Sequence, residues 1–170
     1  MKIYIKDSPQ GHSHYQGRVK AEDIGLTSDD ELEIVTLIDV DVDLTREGNS
    51  FYTLADTKTI VLMPCARCLE RTEVAISGSF EGIFKWRPSS VPFTRISEED
   101  DNHEFGGFEL DLGELVRESV LMSLPIAPLC RPDCAGLCPH CGADLNRGKC
   151  SCHEESFDER WQALREIRDK

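Results

Sequence analysis

Eight cysteines carry the reactive side-chain chemistry of this 170-residue chain. Six of them lie between Cys130 and Cys152 in the pattern C-x3-C-x3-C-x2-C-x8-C-x-C, and Cys65 and Cys68 form a separate C-x2-C upstream. A zinc ion takes about four ligands in a tetrahedron, and a C-x2-C turn supplies two sulfurs from one tight loop whose backbone amides can point at them. Cys138 and Cys141 form such a turn, followed by Gly142, with Cys150 and Cys152 close enough to complete a small ribbon. The spacing therefore predicts a first structural site of Cys138, Cys141, Cys150 and Cys152. The remainder predicts a second site in which Cys65 and Cys68 join Cys130 and Cys134 across 61 intervening residues, clipping the tail to the rest of the chain. The competing arrangement is a single site drawing Cys130 or Cys134 together with Cys138 and Cys141. His140 or His153 could replace a sulfur in either scheme.

Other cysteine chemistries fit this spacing less well than structural zinc. Cys138-Pro139-His140-Cys141 matches the dithiol of some thioredoxin-like oxidoreductases, in which a helix N-terminus activates the first thiolate. That active site follows a strand in a βαβ setting, whereas here a glycine follows and further cysteines crowd both sides. The spacings match no ferredoxin run. All-cysteine sites are mostly closed and structural, and the sequence carries no Gly-rich phosphate loop, nucleophile elbow or H-E-x-x-H. An enzyme is not expected.

The elements that must position these thiols are predicted as follows. Ile3 and Ile5 alternate with polar neighbours as in a short strand, and residues 7–30 read as loop with one small strand around Gln16 to Val19. Leu32, Ile34, Ile38, Val40, Val42 and Leu44 share even parity against Asp39, Asp41 and Asp43, giving a strand with one apolar and one acidic face. Glu47-Gly48-Asn49 signals a turn into one returning strand, or two, closed by Pro64 just before the Cys65–Cys68 turn. Val74, Ile76, Phe80, Phe84 and Trp86 share one face with Gly78 and Gly82, glycines that suggest a bend or bulge that lets the sheet curl. Residues 88–107, rich in acidic residues, read as a mobile loop. Asp111 to Glu114 has capping-box spacing at the head of a helix ended by Pro125, and Ser156 to Glu159 opens a second helix with Phe157, Trp161, Leu164 and Ile167 on one stripe. The fold class is α+β: a curved, barrel-like antiparallel sheet, a helix, a cysteine-rich zinc-ribbon-like module and a short C-terminal helix. The boundary falls near residue 125, with a β domain over 1–125 and the cysteine module with its helix over 126–170.

Lysine and arginine total 19 against 32 acidic residues, a formal charge of −13. Binding to phosphate backbones feeds on cation contacts, so this balance argues against sequence-blind nucleic-acid binding. The charged, alternating N-terminus lacks the apolar core of a secretory signal, and no run is long enough to cross a bilayer. A cytosolic location, where clustered thiols stay reduced and bind metal, is expected.

Four pieces of the chain together resemble a known family. They are Cys65-Ala66-Arg67-Cys68-Leu69-Glu70 after a strand, the segment Asp111 to Pro125 (DLGELVRESVLMSLP), CxxxCxGLCPxCGxxLN ending at Asn146, and a Cys-x-Cys followed by Asp158-x-Arg160-Trp161-x-x-Leu164. In order and separation they resemble the YceD-like large ribosomal RNA subunit accumulation proteins, and the resemblance covers most of the chain. What it implies is a bacterial, non-catalytic factor in 23S ribosomal RNA accumulation and large-subunit assembly. One or two structural zinc ions would sit on the motif cysteines, and Arg67 is a candidate phosphate or partner contact, or else an ion-pair partner of Glu70 or Glu73. The acidic balance points to a basic ribosomal protein, an assembly factor or the large-subunit precursor as the partner, with direct RNA contact left open. The rival readings are a zinc- or thiol-dependent redox protein using Cys138-Pro139-His140-Cys141, and a zinc-stapled interaction module unrelated to ribosomes.

Overall fold

The computed structural model describes residues 1–6, 8–26, 33–89, 92–97 and 102–152. Its frame is a sheet built on two long strands, β5 (Ser50–Pro64) and β6 (Arg71–Trp86), that form one antiparallel hairpin. β4 (Ile38–Glu47) enters β5 through the two-residue turn Gly48-Asn49, and β2 (Gly11–Val19) pairs with the far edge of β4. The short β3 (Glu33–Ile34) pairs with β5 near the cysteine end of the hairpin. On the other side of β6 lie β8 (His103–Gly106), which runs parallel to it, and then β7 (Phe93–Ile96). β1 (Lys2–Tyr4) and β9 (Glu109–Asp111) form a separate two-stranded pair, and helix α1 (Gly113–Met122) follows.

The period-two pattern sets which face is buried. Ile38, Val40, Val42 and Leu44 are buried on β4 while Asp39, Asp41 and Asp43 turn outward, as their parity predicts. The outward aspartates meet matching partners on β2: Arg18 Nε donates to Asp39 at 2.9 Å, Gln16 Nε2 to Asp41 at 2.7 Å, and His14 Nδ1 lies 3.1 Å from Asp43. On the inner face Phe51 and Phe84 stand opposite each other, and Phe105 packs edge-on against both at ring separations of 5.6 and 6.4 Å.

Three expectations are corrected. The sheet does not close into a barrel: its order is β2-β4-β5-β6-β8-β7, with β2 and β7 as unjoined edges among the described residues, and the β6–β8 pairing is parallel. Helix α1 covers the apolar face instead, burying Leu115, Val116 and Val120. Second, Gly78 and Gly82 make no bulge, because the β5–β6 register runs unbroken from Ser50↔Lys85 to Pro64↔Arg71. They clear space for α1: a Cβ on Gly78 would overlap Ser123 Oγ and come within 2.8 Å of the Ser119 carbonyl oxygen. Their carbonyl groups accept hydrogen bonds from Thr57 and Thr53 directly across the hairpin, at 3.2 and 2.9 Å. Third, the span 88–107 contains the strands β7 and β8. Glu104 on β8 is buried and takes two N–H bonds from Arg87 on one oxygen and two from Arg95 on the other, all between 2.6 and 3.0 Å.

Asp111 also does not cap α1 as the box spacing suggests. Leu112 is the residue before the helix, and the Asp111 carboxylate accepts from Gly113 N–H at 2.9 Å in a local turn. The second capping box and its apolar stripe, at 156–167, lie outside the described residues.

Candidate metal centre

Strand ends place the Cys65–Cys68 half of one cluster. Cys65 follows Pro64, the last residue of β5, and Cys68 sits in the six-residue loop before β6 begins at Arg71. After α1 the chain returns to this loop, where Ala66 N–H donates to Pro128 O at 2.7 Å and Leu137 N–H to Arg67 O at 3.1 Å. Cys130 and Cys134 arrive on that returning segment. The structure brings Cys65, Cys68, Cys130 and Cys134 together, with all four sulfurs within 4.8 Å of one another. A second group of four, Cys138, Cys141, Cys150 and Cys152, meets the same criterion. The arrangement in which Cys130 or Cys134 would join Cys138 and Cys141 is not the one formed.

The two C-x2-C turns share one backbone pattern. Leu69 N–H donates to Cys65 O at 2.9 Å and Cys65 N–H to Glu70 O at 2.8 Å; Gly142 N–H donates to Cys138 O at 2.9 Å and Cys138 N–H to Ala143 O at 2.8 Å. The residue after the second cysteine must then adopt a left-handed conformation, with φ +61° at Leu69 and +72° at Gly142. Glycine takes this conformation freely, whereas the leucine is strained.

The sulfur spacing fits a tetrahedral ion. Bonds of about 2.3 Å to zinc imply sulfur–sulfur edges of about 3.8 Å, and Cys65 Sγ lies 3.8 Å from Cys134 Sγ and Cys68 Sγ 3.7 Å from Cys130 Sγ. These separations far exceed a disulfide bond of about 2.05 Å. Donors also surround the sulfurs: Arg67 N–H points at Cys65 Sγ at 3.5 Å and Asn146 Nδ2 at Cys134 Sγ at 3.4 Å. An ion held here would neutralise part of the thiolate charge and cross-link segments distant in sequence.

Protonation differs among the thiols. The backbone N–H groups of Cys130 and Cys68 bring the Cys65 thiol down to about 6, and those of Cys141 and His140 bring Cys138 down to about 6. Burial, followed by the neighbouring Cys134 and Cys68 sulfurs, pushes Cys130 up to about 12. The Cys141 sulfur, followed by burial, pushes Cys152 up to about 12. Each reduced cluster thus places a thiolate on the first cysteine of its turn and a proton on another member, which an arriving cation must displace.

The clusters differ in exposure. Cys65, Cys68 and Cys134 are only 0, 9 and 1% exposed, whereas in the other cluster Cys138 is buried but Cys141 and Cys152 are exposed. His140 is exposed and belongs to neither group, and His153 lies outside the described residues. Arg67 donates from Nη1 to the Cys134 carbonyl oxygen at 2.8 Å, which ties the hairpin loop to the returning segment while leaving the side chain largely exposed. Sequence reasoning gave no task to Asn146. Only its position at the end of the cysteine motif could have marked it, since nothing in the spacing shows that its amide turns back onto Cys134.

Cys138 and Cys141 lie in a turn and not at the start of a helix, and one β-bridge, Leu137↔Asp144, closes the segment behind them. The helix that would activate a thioredoxin-like dithiol is missing from this position.

Known proteins resemble the chain. An uncharacterized protein of Mycobacterium tuberculosis is 30% identical over 131 residues, covering 77% of this chain and 62% of its own. The chloroplastic large ribosomal RNA subunit accumulation protein YCED homolog 1 of Arabidopsis thaliana is 26% identical, covering 79% of this chain and 50% of its own. Its Zea mays counterpart is 25% identical, with coverages of 79% and 56%. The chain therefore spans less than two thirds of the length of these relatives. No solved structure matches it. The family model described as Large ribosomal RNA subunit accumulation protein YceD matches residues 55–168, a span that holds the β5–β6 hairpin from Ala55 onward and all eight cysteines. On that match, the chain belongs to the YceD family of large ribosomal RNA subunit accumulation proteins.

Proposed function

We propose that this protein supports accumulation of 23S ribosomal RNA and assembly of the large ribosomal subunit as a non-catalytic, zinc-stapled interaction factor in the cytoplasm. The carrying observation is the pair of closed all-cysteine clusters within a chain of this family. Four sulfur ligands per ion leave no open position for substrate, so the metal holds shape instead of performing chemistry. A β domain reaching to about residue 125 presents the hairpin loop, and a zinc-ribbon-like module beyond it is clipped to that loop.

With a formal charge of −13, the chain is suited to a basic partner, such as a ribosomal protein or assembly factor on the large-subunit precursor, more than to bare RNA. The unshared N–H groups of Arg67, on the rim of the buried cluster, are the candidate contact. Depleting the protein and resolving subunits on sucrose gradients is expected to show fewer mature large subunits and accumulated precursors. Unchanged large-subunit and 23S levels would sink this reading. Tight binding of 23S fragments by the metal-loaded protein alone at physiological salt would overturn the choice of a protein partner.

The lowered Cys138 thiol favours one second reading, a redox dithiol at Cys138 and Cys141. It predicts rapid alkylation of Cys138 in the metal-loaded protein. The structural reading predicts protection until a chelator is added.

A further inference from the structure

The residues between the last two pairs of cysteines are not merely a linker. Asn146 lies in the segment that joins Cys141 to Cys150, both members of the exposed cluster, yet its side chain reaches the buried one. Its Oδ1 accepts from the backbone N–H of Ala135 at 2.8 Å and from Arg131 Nη2 at 2.7 Å. Both of those partners flank the ligand Cys134 or precede it in the Cys130–Cys134 loop. A backbone N–H can only donate, so the oxygen of the amide is fixed and its NH2 group must face the other way. There Nδ2 donates to Cys134 Sγ at 3.4 Å and to Asp144 Oδ1 at 2.9 Å. Asp144 Oδ1 also accepts from Asn146 N–H at 2.9 Å, which holds the asparagine in place.

We propose that Asn146 is a positioning residue that couples the two cysteine clusters, so that metal bound at the exposed cluster tightens metal binding at the buried one. The coupling rests on the reading of both clusters as metal sites. Its physical basis is direct. An N–H bond to a ligand sulfur favours the thiolate and orients it, and removing such an outer partner typically costs about 10- to 100-fold in metal affinity. The segment that carries this donor is held by the Leu137↔Asp144 bridge and by Leu145 N–H to Gly136 O at 2.9 Å, and it gains a tie at each end when Cys141 and Cys150 share an ion with Cys138 and Cys152. Emptying the exposed cluster frees those ends and weakens the hold of Asn146 on the Cys130–Cys134 loop. Because binding free energies are reciprocal, emptying the buried cluster weakens the exposed one by the same factor.

The test uses the full chain under reducing conditions and reads the zinc affinity of the buried cluster by chelator competition, with cadmium-113 NMR assigning each ion to its cluster. Cys141→Ser/Cys152→Ser empties the exposed cluster and is expected to lower buried-cluster affinity by about 10-fold or more. Asn146→Ala is expected to lower it similarly with all eight cysteines present, and adding Cys141→Ser/Cys152→Ser to it is expected to cost little more. Asn146→Asp keeps the acceptor contacts but removes the donor to sulfur, and is expected to behave as the alanine variant does. Should Asn146→Ala not fold, by far-UV circular dichroism, the aspartate and double-serine chains decide the matter alone. Equal buried-cluster affinity with the exposed cluster loaded or empty overturns the coupling. So does coupling of undiminished size in the Asn146 variants. A chain that takes up no metal at either cluster overturns the metal reading and the coupling with it, whereas two tightly held, independent ions overturn the coupling alone.

Discussion

Leu69 and Gly142 occupy equivalent places in two turns of the same backbone design, and only one of them is a residue that suits the place. Gly142 has open space where a Cβ would go, so Gly142→Ala adds backbone strain without a clash. A left-handed non-glycine residue costs about 1–2 kcal/mol, partly offset by about 0.4–1 kcal/mol from the stiffer unfolded chain, so a net loss of about 1 kcal/mol is expected in urea unfolding. Leu69→Gly is the reverse experiment. The leucine is 65% exposed, so little apolar burial is lost and stability is expected to stay level or rise by up to about 1 kcal/mol. The thiols also set a pH dependence for the reduced, metal-free protein. Cys65 and Cys138 titrate near 6 when folded and near 9 when unfolded, so their stabilisation is complete above pH 9 and lost as pH falls through 6. Cys130 and Cys152 are shifted the opposite way, to about 12, so their stabilisation holds below pH 9 and is lost as pH rises through 12. Denaturation with chelator and reductant present is therefore expected to show stability rising from pH 6 to about 9 and declining beyond. A flat profile over that range would contradict these thiol shifts.

The contact of α1 with β6 turns on small residues. Ser119 is buried and its hydroxyl meets Thr57 Oγ1 at 2.8 Å, while Ser123 Oγ donates to Ser119 O at 2.6 Å, all above the bare backbone of Gly78. Gly78→Ala is expected to push the helix off the sheet and cost about 1–3 kcal/mol, read as a lower denaturation midpoint. Gly82→Ala, whose Cβ would meet only side-chain atoms at 3.0 to 3.3 Å, is expected to cost less. Equal losses would mean that the helix does not rest on Gly78. These glycines also mark the limit of what the sequence revealed about the elements. Strict parity made β4 and the apolar face of β6 legible, because one buried and one solvated face leave a period of two. A glycine in a strand signals either a bulge or a close neighbour, and the neighbour here is a helix some 40 residues further along, which no local pattern displays. The β7–β8 strands were hidden for a different reason. Four-residue strands give too few alternations to detect, and Glu104, the residue that anchors them, reads in sequence as one more acid in a charged stretch although two arginines neutralise it in the interior. The cysteine turns were easier, since C-x2-C declares its own geometry. The inward reach of Asn146 was not, because an amide side chain can be satisfied almost anywhere.

At the scale of the molecule, the described residues after α1 are fastened to the sheet by few ties. Backbone hydrogen bonds join Ala66 to Pro128 and Arg67 to Leu137, the Arg67 side chain holds the Cys134 carbonyl, Leu124 packs against the sheet's core, and the cluster of Cys65, Cys68, Cys130 and Cys134 adds the remaining tie among these residues. The sheet owes nothing to that cluster: its buried residues form one apolar core around Phe51, Phe84 and Phe105, and the cysteines with Leu137 form a separate one. Metal binding to small all-cysteine and mixed sites is worth on the order of 10–16 kcal/mol, far more than two or three exposed hydrogen bonds, so removing the ion should loosen the module, letting it open transiently, and leave the sheet folded. Chelation is expected to let trypsin cut after Arg147 and Lys149, while the strands from β4 to β6 stay protected and keep their far-UV signal. Cys65→Ser/Cys68→Ser should reproduce that cleavage pattern with the metal count falling from two ions per chain to one, because the exposed cluster keeps all four of its own sulfurs. Loss of the sheet signal on chelation would show instead that the buried cluster is part of the β core, and an unchanged metal count in the double variant would show that Cys65 and Cys68 are not ligands.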